Sequence, residues 1–248
     1  MKRDADAPAT VQAKKQRPSA SEEASQTQAC VDKYFDRFRH VNEGNGKNAF
    51  GGGTQKVTDA VIMRSLRELP SLKGDAAGAA LHRFIVAYGV GRTFGGLGKI
   101  KKISEKHKKL APLAARLIAI HKASHGTHQD DIAAVMAACK KAGFGTNPSF
   151  SSKFLNMLGR PVPIYSSECT AYLLHFGYLQ PKPPADYPTF HAAWIKAFDD
   201  VRADYTAAAR RRLGQHAETK ALEEELGAEW FAIRGFDQLH MKVGGPLR

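Results

Sequence analysis

The spacing of apolar residues is the feature that most constrains the fold of this 248-residue chain. After residue 28, large apolar side chains recur at intervals of three and four, as in Val31, Phe35 and Phe38, which is the period of one helix face. No segment of useful length alternates apolar and polar residues with β-branched enrichment, and Ile164-Tyr165 is the only strand-like piece. The sequence therefore predicts an all-α fold.

Caps and breaks divide this helical pattern into elements. Thr58-Asp59 is placed as an N-cap pair for a helix that ends near Pro70, because a side-chain oxygen there can accept a bond from a first-turn N–H group. Apolar, alanine-rich helices are predicted over residues 109–122 and 129–141. One long helix is predicted over residues 189–213, and a last helix over about 219–231 is followed by a short element near Phe236.

The first 28 residues differ in composition from the rest of the chain. They contain almost no large apolar side chains, so they cannot bury enough surface to offset the entropy of ordering. We expect residues 1–28 to form a disordered basic tail and residues 29–248 to form one helical domain. Two basic clusters in the tail are spaced as in a bipartite nuclear import signal, which predicts a nuclear location and an import receptor as a partner. The residues of these clusters are Lys2, Arg3, Lys14, Lys15 and Arg17. The alternative is a solvated tail with scattered charge.

The charge balance points to a polyanionic partner. The chain has 37 Lys and Arg against 24 Asp and Glu, which gives a formal charge of +13 and an isoelectric point of about 9.7. A basic surface gains affinity for nucleic acid by releasing counterions from phosphates. Lysines are densest in residues 99–109, where Ile100 and Ile103 are expected to point inward. The lysines assigned to DNA binding are Lys99, Lys101, Lys102 and Lys106. A solvated helix face is the alternative.

Other functional classes are disfavoured by missing motifs. The cysteines Cys30, Cys139 and Cys169 are far apart in sequence, which argues for a reducing compartment and against a disulfide framework or a zinc ribbon. No apolar run approaches the roughly 20 residues that span a bilayer, so no membrane partner is expected.

Residues 91–100 contain a Gly-Lys pair but lack the upstream glycine and the following hydroxyl of a phosphate-binding loop. No cofactor is predicted.

Three histidines raise the question of a metal site. His121 and His125 are one helical turn apart, and His128 follows, which is a spacing that can bind zinc. However, Gly126 breaks the helix before the third histidine, and no glutamate that could act as a general base lies between the first two. A helix C-terminus with favourable dipole contacts is the better interpretation, and no metal is predicted.

A glycine hairpin is the most informative motif in the sequence. Gly143-Phe144-Gly145 follows one apolar helix, and the next helix begins near Ser149. A tight Gly–hydrophobic–Gly turn can direct backbone N–H groups at a DNA phosphate, so Gly143 and Gly145 are predicted DNA contacts. The whole helix–hairpin–helix unit covers about residues 130–158. It is followed by a break over residues 159–163 and by a further helix capped by Ser166 or Ser167.

This layout resembles the helix-hairpin-helix DNA glycosylase superfamily, in particular its 8-oxoguanine glycosylase-like branch. The resemblance covers about residues 130–178, and a weaker likeness, with an Arg and an Asp-Gln pair in a closing helix, lies in residues 230–238. It implies a two-lobed helical architecture with duplex DNA bound across the cleft between the lobes. It also implies excision of a damaged or modified base, which is flipped out of the stack because its glycosidic bond cannot otherwise be reached.

The sequence departs from the catalytic set that the resemblance implies. In the family an aspartate stabilises the positive charge that develops at the sugar, and bifunctional members add a lysine that attacks the sugar carbon. Ser166 stands in the place of the aspartate and Ser149 stands near the place of the lysine. Lys153 and Glu168 are the nearest substitutes, so the predicted catalytic set is Lys153, Ser166 and Glu168. The alternative is a plain N-cap with an acidic first turn.

Three functions remain open on the sequence. The first is base excision with an altered catalytic set, the second is DNA binding or base sensing without catalysis, and the third is a helical interaction domain with an acidic protein partner. A cleft lysine or carboxylate with a shifted pKa would favour the first function. A cleft lined by serine and apolar groups would favour the second, and basic residues spread evenly over the surface would favour the third.

Overall fold

The computed structural model describes residues 20–39, 58–90, 94, 96–123, 126–180 and 186–243. Over these residues the chain forms ten α-helices joined by turns and short 3-10 segments, without a strand, so the all-α prediction is confirmed. The helices are α1 Ala20–Arg39, α2 Asp59–Glu68, α3 Gly74–Ala87, α4 Ile103–Ala123, α5 His128–Lys141, α6 Pro148–Met157, α7 Ser167–His175, α8 Tyr187–Asp199, α9 Arg202–Arg212 and α10 Lys220–Val243. Within the described part of the chain, no helix combines the length and the apolar content that crossing a bilayer requires.

Helix α1 begins inside the segment that was predicted to be disordered. It starts at Ala20, Thr27 is buried, and Gln28 accepts a 3.1 Å hydrogen bond from Arg211 Nε of α9. The predicted boundary at residue 28 is therefore too late, because the residues just before it pack on the helical domain. The basic residues of the predicted import signal lie outside the described residues.

The helix predicted over residues 189–213 is two helices, α8 and α9. Val201 separates them with a non-helical φ of −129° and ψ of 3°. The break lets two aromatic residues on either side of it, Phe198 and Tyr205, both pack against Phe236 of α10 with ring centroids 5.4 Å apart. The prediction of one helix over residues 189–213 is wrong, because the spacing of apolar residues alone does not reveal a local bend between two buried aromatic residues.

Helix α10 is longer than predicted and supplies the centre of the core. It continues past Phe236 to Val243 and is interrupted at Gly227, whose φ of 74° lies in the left-handed region that favours glycine. Phe231 of α10 stacks on Phe35 of α1 with ring centroids 4.3 Å apart, and Trp230 is equally buried. The N-terminal and C-terminal helices therefore share one core, which explains why α1 extends beyond the predicted domain boundary.

Helices α3 and α4 approach each other closely at Gly78. A Cβ atom added at this glycine would lie 2.0 Å from the backbone carbonyl oxygen of His107, which is far inside van der Waals contact. The two helices can pack at this distance only because residue 78 has no side chain. This close packing also fixes α4, whose N-terminal end carries the basic segment, against the rest of the domain.

Replacing Gly78 by Ala is expected to destabilise the protein by about 3 kcal/mol, because overpacking against a backbone atom cannot be relieved by a side-chain rotation. The free energy of unfolding in urea measures this effect. Gly98→Ala is the matched control, since a Cβ at Gly98 would meet nothing within 4 Å. Equal stability of the two variants would contradict the close packing of α3 and α4.

Candidate functional site

The hairpin between α5 and α6 is anchored by one aromatic side chain. Phe144 is buried and packs against Phe94 with ring centroids 5.0 Å apart. Gly143 and Gly145, on either side of it, are exposed and have φ values of 80° and 71°. A Cβ at either glycine would meet nothing within 4 Å, so the space outside the hairpin is open. The turn therefore holds its apolar residue inward and presents both glycines at the surface.

The basic segment of α4 meets the hairpin directly. The Nζ atom of Lys109 lies 5.5 Å from the centroid of the Phe144 ring, over its face. Upstream of it, Lys99, Lys101 and Lys102 are exposed and Lys106 is half-buried. The structure therefore places the C-terminal end of the lysine-rich segment 99–109 against the predicted hairpin. We call the hairpin together with this segment the hairpin–α4 surface.

One expectation about this segment is wrong. Ile103 was predicted to point inward, but its side chain is 60% exposed, whereas Ile100 packs against the core. Helix α4 begins at Ile103, and its first buried residue is Leu110, so the side chain of Ile103 lies in an exposed first turn. An isolated apolar residue at the end of a helix is a weak signal of burial because no neighbouring turn shares its face.

The structure describes two of the three histidines, His121 and His128. His121 lies in the last turn of α4 and His128 is the first residue of α5, while His125 lies outside the described residues. Thr127 caps α5 in a capping box with Asp130, whose carboxylate accepts hydrogen bonds from the Thr127 N–H and hydroxyl groups. Asp130, one of the two acidic residues near the histidines, therefore has a capping role.

Lys153 lies in the middle of α6, beside the entry to α7. The side chain of Lys153 is half-buried, and its neighbours Ser151 and Ser152 are fully buried. Ser152 Oγ accepts a 3.0 Å hydrogen bond from the backbone N–H of Tyr165, which ties the segment before α7 to α6. This bond places the first turn of α7, with Ser166 and Glu168, next to Lys153.

Ser166 is the N-cap of α7. Its hydroxyl oxygen accepts a 3.1 Å hydrogen bond from the backbone N–H of Cys169, and its own backbone has an extended conformation. The capping role predicted for Ser166 or Ser167 therefore falls on Ser166. Glu168 lies in the first turn, where a negative charge is favoured by the helix dipole.

The electrostatic environment couples Lys153 to Glu168. Burial lowers the pKa of Lys153, the cations Arg234 and Arg37 lower it further, and Glu168 opposes these effects. Burial alone would raise the pKa of Glu168, but hydrogen bonds from its own backbone N–H and from Ser167 and Ser166, together with Lys153, lower it overall. The pair therefore combines an amine that loses its proton more readily than an exposed lysine with a carboxylate that stays ionised.

A buried ionic cluster adjoins this pair, and the sequence-based prediction missed it. Tyr34 Oη donates a 2.8 Å hydrogen bond to Asp59 Oδ2, and Arg234 lies 3.6 Å from the same oxygen. Arg234 Nη1 also donates a 2.7 Å bond to Asp237 Oδ2, and its guanidinium lies 4.7 Å from the centroid of the Tyr34 ring. The available signal was the pair of charges, Arg234 and Asp237, three residues apart among the large apolar side chains of residues 230–236.

The fold and the site define an all-α protein with a glycine hairpin, a basic surface and a half-buried lysine–carboxylate pair. Comparison with known proteins finds no matching family model, no matching curated sequence and no matching solved structure. The resemblance to helix-hairpin-helix glycosylases therefore depends on the residues of the hairpin, α6 and α7, with the Arg and Asp-Gln of α10 as its weaker second part.

Proposed function

We propose that this protein binds duplex DNA through the hairpin–α4 surface and acts on a modified nucleotide with an altered catalytic set of Lys153, Ser166 and Glu168. Lys153 would be the nucleophile, because a partly desolvated amine with a lowered pKa attacks a sugar carbon more readily than an exposed lysine. As the amine bonds to the sugar carbon, the glycosidic bond would break and the base would leave with the bonding electrons. Glu168 would take the proton that the amine loses and return it to the departing base, and Ser166 would contribute a neutral hydroxyl. No step of this chemistry calls for a metal or a cofactor.

The observation that carries the proposal is the environment of Lys153. The amine is half-buried beside an ionised carboxylate, and it belongs to the helix that follows the exposed glycine hairpin. An ionisable pair whose pKa values are shifted by burial and by specific neighbours is typical of a reactive site. The lysine cluster contributes sequence-independent contacts to phosphates, which would hold a duplex near that pair.

A second candidate function is DNA binding or base sensing without catalysis. The observation that favours it is the hydrogen bond between Ser166 Oγ and the Cys169 N–H, since capping α7 already accounts for a serine at this position. A neutral hydroxyl that caps a helix cannot replace the field of a carboxylate opposite an oxocarbenium-like charge. Binding to an acidic protein partner would use the same lysines and is separated from DNA binding by the experiments below.

DNA affinity should depend steeply on salt concentration, and the lysine cluster should set much of the slope. Each phosphate contact contributes roughly 0.9 to the slope of log affinity against log salt, so replacing four contacting lysines by Ala should lower the slope by about 3 to 4 units. Fluorescence anisotropy with a labelled duplex over a series of salt concentrations measures this change. The substituted residues are Lys99, Lys101, Lys102 and Lys106.

A matched control removes the same number of charges elsewhere. Four other exposed lysines lie on α1, α8, α10 and the far end of α4, and their replacement by Ala should change the slope by less than about 1 unit. These control residues are Lys33, Lys122, Lys196 and Lys220. An equal loss of slope in both variants would mean that binding follows net charge alone, and no binding by the wild type would remove DNA as the partner.

The catalytic part of the proposal is tested by covalent trapping. The protein is incubated with duplexes that carry a panel of modified bases or an abasic site, and borohydride is added to reduce any Schiff base between the amine and the sugar aldehyde. A trapped protein–DNA adduct supports a reactive lysine. Salt-dependent binding without an adduct on any duplex would replace this function by the non-catalytic one.

A further inference from the structure

Three metal-ligating side chains converge at the junction of α7 and α10. Cys169 Sγ lies 2.9 Å from His240 Nδ1 and 3.8 Å from Asp237 Oδ1, and the histidine nitrogen and the carboxylate oxygen are 4.0 Å apart. The three side chains are 2%, 0% and 5% exposed for Cys169, His240 and Asp237. Among the described residues, no other group of three Cys, His, Asp or Glu side chains brings its ligand atoms together in this way.

The three side chains already contact one another through atoms of the kinds that bind metal ions. The Cys169 sulfur is within hydrogen-bond distance of both His240 Nδ1 and Asp237 Oδ1, and whether the thiol or the imidazole donates depends on the histidine tautomer. A thiol sulfur, an imidazole nitrogen and a carboxylate oxygen therefore lie within 4.8 Å of one another in a buried site.

We infer that Cys169, Asp237 and His240 form a binding site for a divalent transition-metal ion of the zinc class. A thiolate, an imidazole and a carboxylate are the ligands that zinc prefers, and three protein ligands leave the fourth position for a water or another oxygen. Zinc bonds of about 2.0–2.3 Å at tetrahedral angles separate ligand atoms by about 3.3–3.7 Å. The observed separations bracket this range, so small side-chain shifts suffice to place all three atoms around one ion.

The surroundings of Asp237 fit a ligand of this kind. Its Oδ2 atom accepts the 2.7 Å bond from Arg234, which fixes the carboxylate and leaves Oδ1 directed at Cys169 and His240. Ligating carboxylates are commonly held by an outer partner in this way, since the second bond sets their orientation. Arg234 in turn has Asp59 as a further counter-charge at 3.6 Å.

The charges of the occupied site also balance. Binding of M²⁺ displaces the thiol proton, so the thiolate and the carboxylate together neutralise the ion, and the proton leaves to solvent. The ion would join the first turn of α7 to the closing half of α10, and metal binding would add directly to folding stability because the unfolded chain holds no preformed site. This inference does not depend on the proposed action on DNA.

The test measures metal in the full-length protein, because the ligands are too buried for rapid exchange in the folded state. Protein produced with zinc in the medium is freed of loosely held metal with a chelator, denatured, and assayed for zinc. The expected content is about one ion per chain, because the three ligands converge on a single position. Protein unfolded and refolded with Co²⁺ should show a thiolate-to-cobalt charge-transfer absorption band and a higher midpoint of thermal unfolding than protein refolded with chelator.

The chain offers matched cysteine controls. Cys30 and Cys139 are also free and buried, so Cys30→Ser and Cys139→Ser should keep the zinc and the cobalt band, whereas Cys169→Ser should lose both. If Cys169→Ser fails to fold, the band in the wild type together with its retention in both controls still assigns the thiolate to Cys169. A wild type without zinc and without the cobalt band overturns the inference, as does zinc that persists in folded Cys169→Ser.

Discussion

Replacing Lys153 by Met should abolish covalent trapping of the protein on DNA while leaving duplex affinity almost unchanged. The physical reason is that methionine keeps the apolar stem in its half-buried place on α6 but removes the amine that would attack the sugar. We expect the yield of trapped adduct to fall at least ~100-fold, the lower end of what a positioned acid, base or nucleophile contributes. Borohydride trapping followed by denaturing electrophoresis measures the yield.

Two variants separate nucleophilicity from charge. Lys153→Arg keeps a cation but cannot form a Schiff base, so it should bind DNA and fail to be trapped. Lys141→Met removes an exposed lysine at the end of α5 and should be trapped like the wild type. Undiminished trapping of folded Lys153→Met would show that another amine is the nucleophile, and the proposed catalytic set would then be wrong.

The pH dependence gives a second readout of the same residue. Because burial and the neighbouring cations Arg234 and Arg37 lower the pKa of Lys153, its neutral, reactive form increases with pH earlier than that of an exposed lysine. The rate of trapping should therefore rise with pH and level off below the ordinary lysine pKa of about 10.4. A rate that continues to rise through that value would indicate an unperturbed amine.

Replacing Ser166 by Asp should create or increase base excision. The new carboxylate would lie at the N-terminus of α7, beside the place where positive charge develops on the sugar in the proposed reaction. One electrostatic contact of this kind changes rates by about 10²–10³, so the effect should be easily seen in single-turnover cleavage of a duplex carrying the modified base. The capping bond to the Cys169 N–H should survive, because aspartate caps a helix as well as serine does.

Ser167→Asp is the matched control for this substitution. Ser167 is exposed and is the first residue of α7. An aspartate at this position adds the same negative charge one residue after Ser166 and does not occupy the N-cap. Both variants should lose a similar small amount of DNA affinity through repulsion from phosphates, and only Ser166→Asp should gain activity. Equal activity in the two variants, or a fall in an already active wild type, would contradict the role assigned to position 166.

Local signals in the sequence determined the helical class, several helix ends and the hairpin. Of the predicted capping pair Thr58-Asp59, Thr58 is the cap and accepts a bond from the N–H of Val61, because a cap needs only a side-chain oxygen just before the first turn. Gly143 and Gly145 adopt positive φ around a buried Phe144, because that sequence favours a tight turn with its apolar residue inward. Each of these features depends on residues within a few positions of one another.

Part of the candidate site could be named from the sequence, but its environment could not. Lys153 and Glu168 follow closely after Ser149 and Ser166, which stand where the resemblance implies a lysine and an aspartate, and the structure brings the two charged groups within electrostatic reach of each other. The cations that act on Lys153 come from α1 and α10, at opposite ends of the described chain. Burial of a lysine is a property of everything packed around it, so no local pattern reports it.

Only the tertiary structure decided where the helices bend, which apolar residues stay exposed and which charges meet. The break at Val201 follows from two aromatic residues that both pack on Phe236, and the exposure of Ile103 follows from where α4 stops touching its neighbours. The contacts of Cys169 with Asp237 and His240 join helices far apart in sequence. The helical period and the caps depend on residues that are close together in the sequence. These contacts instead arise from packing between distant segments, which the spacing of residues does not encode.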